Sequence, residues 1–417
     1  MKTKTLDLDF VRRQFPAFSE PSLKGTAFFE NAGGSYMCRQ VMDQLDRYVR
    51  QTKVQPFHPY PQAQEAGAHM QSAYGKFSGW LNVGSEEIYF GPSTSQNTYV
   101  LAQAMLGWLK EGDEIIVTNQ DHEANSGVFR RLAQQGIVVK EWCVDANSGS
   151  LNVDHLPALF NKHTKLLVFP HCSNILGEIN PVAHIADLAR DKGVKTLVDG
   201  VSYAGHGLPD VDALGVDIYL FSLYKVYGTH QGVMVVRQQM DACLSNQGHY
   251  FNDHLREKRL TPAGPDHAQI AAAAGVCDYL TILYRHHVGT SKARDQNKNQ
   301  NKNKVVHDLL RQAEIDVLEP LLEFFNEHQK ITLIGPKHAV NRAPTVSVLV
   351  KGHKAFDLAS ALGQKGLMCG AGHFYSKRLL EAMGIDAEEG VLRFSLVHYT
   401  SALDVAKLTQ TLKALIV

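Results

Sequence analysis

The sequence predicts an α/β fold with a mostly parallel sheet in a large domain, followed by a smaller α+β domain. Two observations carry this expectation. Short β-branched runs recur between helical stretches, and most are apolar throughout rather than alternating, as strands covered on both faces require. The chain is also 417 residues long, more than one small core accommodates.

The strand-like runs fall at residues 87–90, 114–118, 137–140, 165–169, 194–198, 217–221 and 232–236. Helical segments such as 185–192 separate several of them, with Gly193 as the expected stop. Helical patterns at 271–285 and 305–314 flank the polar run 295–304, which has no apolar face. That run suits a flexible linker and the solvated stretch of one long helix equally. Strands at 331–334 and 345–350 and a closing helix near 403–415 complete the smaller unit. The expected boundaries are 20–285 for the large domain and 1–19 with 286–417 for the small one.

Composition narrows the function classes. With 42 basic and 42 acidic residues the chain lacks the electrostatic footprint of a nucleic-acid or anionic-membrane binder. Six scattered cysteines without a C-x-x-C pair suit reduced thiols, and no metal-ligand spacing stands out. The first ten residues lack the apolar run of a signal peptide, and the apolar stretch 270–277 is too short to span a bilayer. A cytoplasmic protein is the expectation.

Chemistry concentrates in a few places. Lys225 follows an apolar strand in Phe221-Ser-Leu-Tyr-Lys225-Val-Tyr-Gly228. A desolvated lysine becomes a competent nucleophile toward a carbonyl, although a lone lysine is usually a solvated surface group. Asp199 closes the earlier run Thr196-Leu-Val-Asp199, where ligands of open α/β sheets bind; beside Gly200 it equally suits a turn. A lysine for a Schiff base and an aspartate for a pyridinium nitrogen are what pyridoxal phosphate (PLP) takes from its protein. Ser93, Thr94 and Ser95, in Gly91-Pro-Ser-Thr-Ser-Gln-Asn97, follow a strand and precede a helix, a pattern that suits either a phosphate site or an ordinary N-cap.

Together these residues resemble the class V aminotransferase fold, and within it the group of cysteine desulfurases and selenocysteine lyases. The resemblance runs from Phe10-Val-Arg-Arg-Gln-Phe-Pro16 to the segment at Arg393 and includes Phe28-Phe-Glu-Asn31-Ala-Gly-Gly-Ser35, Asp121-His122-Glu-Ala-Asn125 and His171-Cys-Ser-Asn174-Ile-Leu-Gly-Glu-Ile-Asn-Pro181. It implies an aspartate-aminotransferase-like, fold type I PLP enzyme working as a homodimer on a small amino acid. It further implies that His122 stacks on the cofactor ring, Asn174 bonds its phenolic oxygen, Ser222 contacts its phosphate and Arg393 anchors the substrate carboxylate. Asn31 and the residue at Tyr375 would line the substrate side.

Four departures bear on the reaction. Tyr224 stands where the family has histidine, and Ser202 where it has glutamine. In the loop Cys369-Gly-Ala-Gly-His-Phe-Tyr375-Ser-Lys-Arg378, Tyr375 holds the place of the sulfur-accepting cysteine and Gly370 that of an arginine. Gly264 stands where a threonine usually reaches the partner subunit's phosphate, with Thr261 close by in sequence. Cys172 and Cys369 are the remaining thiols near these motifs, and small buried residues are their commoner fate. The expected chemistry is desulfurase-like or C–S/C–Se lyase-like, through a carbanion at the amino acid's Cα. Transamination, epimerisation and a low-turnover PLP-binding regulatory or structural role are the alternatives. The sulfur acceptor, if any, is not identified by the sequence.

Overall fold

The computed structural model describes residues 5–289 and 299–416. In chain order its strands are β1 (Ala27–Phe28), β2 (Ile88–Gly91), β3 (Glu114–Thr118), β4 (Val138–Trp142), β5 (Thr164–Pro170), β6 (Lys195–Asp199), β7 (Ile218–Ser222), β8 (Gly232–Val236), β9 (Ile331–Ile334), β10 (Thr345–Val350), β11 (Leu367–Met368), β12 (Gly370–Gly372) and β13 (Val391–Ser395). Seven form one sheet in the order β2-β8-β7-β6-β5-β3-β4. Its β7-β6-β5-β3-β4 part is parallel, and β8 runs antiparallel to both β7 and β2. The α/β architecture anticipated from uniformly apolar runs is therefore the one found: every residue of β7 and β8 is buried.

Parallel order matters for the site because it brings the carboxyl ends of β6 and β7 to one edge of the sheet. β8 then returns antiparallel, so residues 223–231 form the connection that displays Lys225 beside Asp199.

A second sheet, β12-β13-β10-β9, is antiparallel throughout. The short parallel pair β1–β11 ties the N-terminal segment to the C-terminal half, although residues 27–28 fall inside the range expected for the large domain. Helix Asn299–Glu327 takes in residues 299–304 of the polar run, and 295–298 lie outside the described residues, as do the first four residues. The apolar stretch 270–277 lies within helix His267–Val288, buried against Arg39–Gln51 and Pro61–Leu81. Gly193 does stop helix Val182–Arg190, at φ +70° with its N–H donated to Arg190 O.

Candidate active site

The site is built around the β7–β8 connection. After Ser222 the chain makes a single 3₁₀ turn, Leu223–Lys225, and Tyr227 then adopts the left-handed region at φ +63°. A non-glycine residue there stores strain that surrounding contacts must hold. Ser35, from the N-terminal segment, supplies two of them: its hydroxyl donates to Tyr224 O at 3.1 Å and accepts the Tyr227 N–H at 2.9 Å. The Tyr227 hydroxyl is received by Gly205 O and lies 3.1 Å from His398 Nδ1.

Lys225 is half-buried, and desolvation of its amine, followed by the nearby Arg393 charge, lowers its pKa to about 8; Asp199 and Glu30 pull the other way. A neutral amine is the form that attacks a carbonyl, and it dominates above the pKa. Uptake of an aldehyde by cofactor-free protein, followed in the visible spectrum after mixing with PLP, is thus expected to accelerate with rising pH and to be half-maximal near pH 8. An unshifted lysine would place the midpoint at about 10.4.

Asp199 is 7% exposed and its carboxylate accepts the Val201 N–H at 2.8 Å. Burial raises its pKa, whereas that N–H and the Lys225 charge lower it. The strand end is buttressed by His171, whose backbone N–H donates to Asp199 O and whose ring stacks on Tyr203 at 3.6 Å. A second buried carboxylate, Asp121, lies close enough that burial first and the Asp199 charge next lift its pKa well above the ordinary range. It takes the His122 N–H and the Asn125 amide. Asp121 was legible only as part of the motif preceding His122; its apposition to Asp199 comes from β3 and β6 flanking β5.

The candidate anion cradle lies at the start of helix Thr94–Met105. Ser93 is its N-cap, accepting the Gln96 N–H, so the ordinary capping role is filled. The buried Thr94 hydroxyl sits 2.7 Å from the Ser222 hydroxyl, which brings the helix N-terminus against the end of β7. Ser95 is exposed on the same turn. Gly232 makes this approach possible: a Cβ there would stand 2.4 Å from the Ser93 carbonyl carbon and 2.5 Å from the Thr94 nitrogen. Tyr224 flanks the cradle, stacked on His230, and burial raises its phenol pKa while a hydrogen bond with Ser222 lowers it.

His122 caps helix Glu123–Arg130, its Nδ1 accepting the Ala124 N–H at 3.0 Å, so the neutral ring carries its proton on Nε2. Burial and the charges of Lys225 and Arg393 push its pKa down to about 3. A neutral imidazole facing the site therefore coexists with the capping role.

Three residues expected at the site also hold other parts of the chain. Asn31 ties two segments together: its amide donates to Ser395 O and Phe28 O, and its oxygen accepts the Tyr399 hydroxyl, so both amide hydrogens are used and one lone pair of the oxygen remains. Asn174 donates to Phe374 O at 2.8 Å and accepts the Ser376 hydroxyl at 2.6 Å, so one amide hydrogen and one lone pair remain for a ligand. Arg393 is buried and engaged, Nη2 to Glu30 at 2.6 Å and Nη1 to Asn174 O at 3.1 Å. Tyr375 is 68% exposed, at 5.2 Å centroid distance from the His122 ring. Its carbonyl accepts the Glu123 N–H, and it follows Phe374 in the left-handed region, at φ +60° and +47°. Ser202 borders a cavity of about 20 Å³ beside Lys225, room for one water. Burial pushes both Cys172 and Cys369 up to about 12, and a thiol needs the opposite shift to react as thiolate.

The donor set suits pyridoxal phosphate: an amine of lowered pKa, a buried carboxylate beside it, and hydroxyls on a helix N-terminus that a glycine brings against the lysine's strand. This is the equipment of a fold type I enzyme, and the relatives agree. Residues 27–408 match the family described as Aminotransferase class-V, and the chain belongs to that family. An aminotransferase-like protein of Gibberella zeae is 32% identical, covering 99% of this chain and 99% of its own. A cysteine desulfurase of Serratia proteamaculans is 26% identical over 97% of each chain. The apo structure of a cysteine desulfurase from Thermococcus onnurineus shares the fold with a TM-score of 0.85 at 21% identity, covering 100% of this chain and 99% of that one. Among the described residues no helix is long and apolar enough to cross a membrane.

Proposed function

We propose that the protein is a PLP-dependent enzyme acting at the α-carbon of a small amino acid or a close derivative, with lyase-type elimination of sulfur or selenium favoured over persulfide-forming desulfuration. The observation that carries it is the apposition of a pKa-lowered Lys225 with the buried Asp199. When bound, pyridoxal phosphate supplies an electron sink that stabilises negative charge on the substrate's α-carbon. Lys225 would attach it through Nζ, and Asp199 would hold a proton on its ring nitrogen. Ser93, Thr94, Ser95 and Ser222 would receive its phosphate, and the neutral His122 ring would pack on its face. Once displaced, Lys225 Nζ is positioned to take or return the α-proton, since its lowered pKa leaves an appreciable neutral fraction near pH 8.

Lyase chemistry is favoured because Tyr375 cannot accept sulfur and both nearby thiols are held protonated. Kinship with cysteine desulfurases supports a sulfur- or selenium-bearing substrate. The test is reconstitution with PLP, followed by incubation with cysteine, selenocysteine and common amino acids while sulfide, selenide, pyruvate, alanine and keto acids are measured. Sulfide with pyruvate is expected from cysteine. Sulfide with alanine would establish desulfuration instead, keto acid with a pyridoxamine spectrum would establish transamination, and a protein that takes up no PLP would remove the proposal altogether.

A further inference from the structure

We infer that Glu30 is a specificity-determining residue, a resident carboxylate on Arg393 that competes with a substrate's free carboxylate and favours a group able to donate a hydrogen bond, such as a carboxamide. The inference rests on the amino-acid-directed function proposed above and refines its substrate class.

The geometry is specific. Arg393 lies on β13 and is 2% exposed. An arginine grips a carboxylate through two parallel N–H donors in one plane. Here Nη2 already donates to Glu30 Oε1 at 2.6 Å, and Nη1 donates to Asn174 O at 3.1 Å. One face of the guanidinium is closed by Phe374, whose ring centroid lies 3.5 Å from Cζ. An incoming carboxylate thus finds one N–H of each terminal nitrogen already taken and a negative charge beside them. Like charges brought together at one site repel and lower affinity.

Glu30 also leaves something open. Its Oε2 is buried and has no hydrogen-bond partner, as does Arg393 Nε. A buried acceptor without a donor is unfavourable, so a ligand N–H at Oε2 is rewarded. Two glycines make room for this carboxylate. A Cβ at Gly33 would stand 2.6 Å from Oε1, and one at Gly370 would stand 2.4 Å from Oε2. Gly370 is the position where the family resemblance led to the expectation of an arginine. The charge of Glu30 is felt at both Lys225 and Cys369, which places it in the reactive region rather than at a remote ion pair.

The test is calorimetric titration of L-alanine and L-alaninamide into wild-type, Glu30→Gln and Gly370→Ala proteins, each with and without PLP. Wild type is expected to bind the amide more tightly. Glu30→Gln should tighten alanine by about tenfold or more, the removal of one adjacent like charge, while changing alaninamide less than about twofold. Gly370→Ala should shift selectivity in the same direction by displacing the Glu30 carboxylate, which keeps the inference testable if Glu30→Gln does not fold. Weaker alanine binding in Glu30→Gln, an equal change for both ligands, or no change would overturn it. Failure of every variant to take up PLP would instead count against the proposed function, because the ligand preference is also measured in the cofactor-free protein.

Discussion

Lys225→Ala protein, desalted after incubation with PLP, is expected to be colourless under conditions in which the wild type keeps its visible band. Turnover of any substrate found for the wild type should fall at least about 10²-fold, the lower end of what a positioned general base contributes. The variant separates two roles. Loss of attachment shows in the spectrum, and loss of proton transfer shows in the rate that remains with saturating PLP. There is also an electrostatic consequence: the Lys225 charge lowers the pKa of Asp199, so its removal leaves burial unopposed from that side and the Asp199 pKa rises. A variant that retains cofactor through desalting and reduction with borohydride would show that another group makes the attachment.

Gly232→Ala carries the second large effect, through backbone rather than chemistry. The added methyl would meet backbone atoms of Ser93 and Thr94 at 2.4–2.5 Å, and neither can rotate aside as a side chain would. Helix Thr94–Met105 must retreat from β8, and overpacking of this kind costs about 1–3 kcal/mol. The Thr94–Ser222 hydroxyl contact opens with it, so PLP affinity measured by titration should weaken by about tenfold for each 1.4 kcal/mol lost from phosphate binding. Gly79→Ala is the matched control. Gly79 lies in helix Pro61–Leu81 with nothing within 4 Å of an added Cβ, so alanine there should stabilise by roughly 0.5–1 kcal/mol and leave PLP binding unchanged. Unchanged affinity and melting temperature in Gly232→Ala would detach the helix N-terminus from the phosphate site.

What the sequence disclosed follows from distance along the chain. Lys225, Asp199 and the Ser93–Ser95 turn each sit just beyond an apolar run, so the rule that strand ends carry ligands locates them without knowledge of packing. The roles of Asn31, Asn174 and Arg393 depend on partners 364, 200 and 363 residues away in sequence, and no local pattern states which partner each will meet. Glu30 was visible inside the Phe28–Ser35 motif, but a carboxylate beside asparagine has no meaning until β13 is laid next to it. The positive φ values of Phe374 and Tyr375 were similarly hidden, since both residue types disfavour that region and only the docked loop holds them there.

The Ser35 clamp on the lysine connection has a consequence for the order in which the protein becomes competent. Ser35 and Tyr224 are 189 residues apart, and Glu30 reaches Arg393 across 363. Such closures are the slow, entropically expensive steps of folding. During synthesis Lys225 emerges long before β13 exists, and its strained neighbour Tyr227 depends partly on His398, near the far end of the chain. The reactive amine should therefore acquire its final surroundings only when the two termini meet over it. A nascent or truncated chain that contains Lys225, Asp199 and the Ser93–Ser95 turn would carry the chemical groups without the pocket.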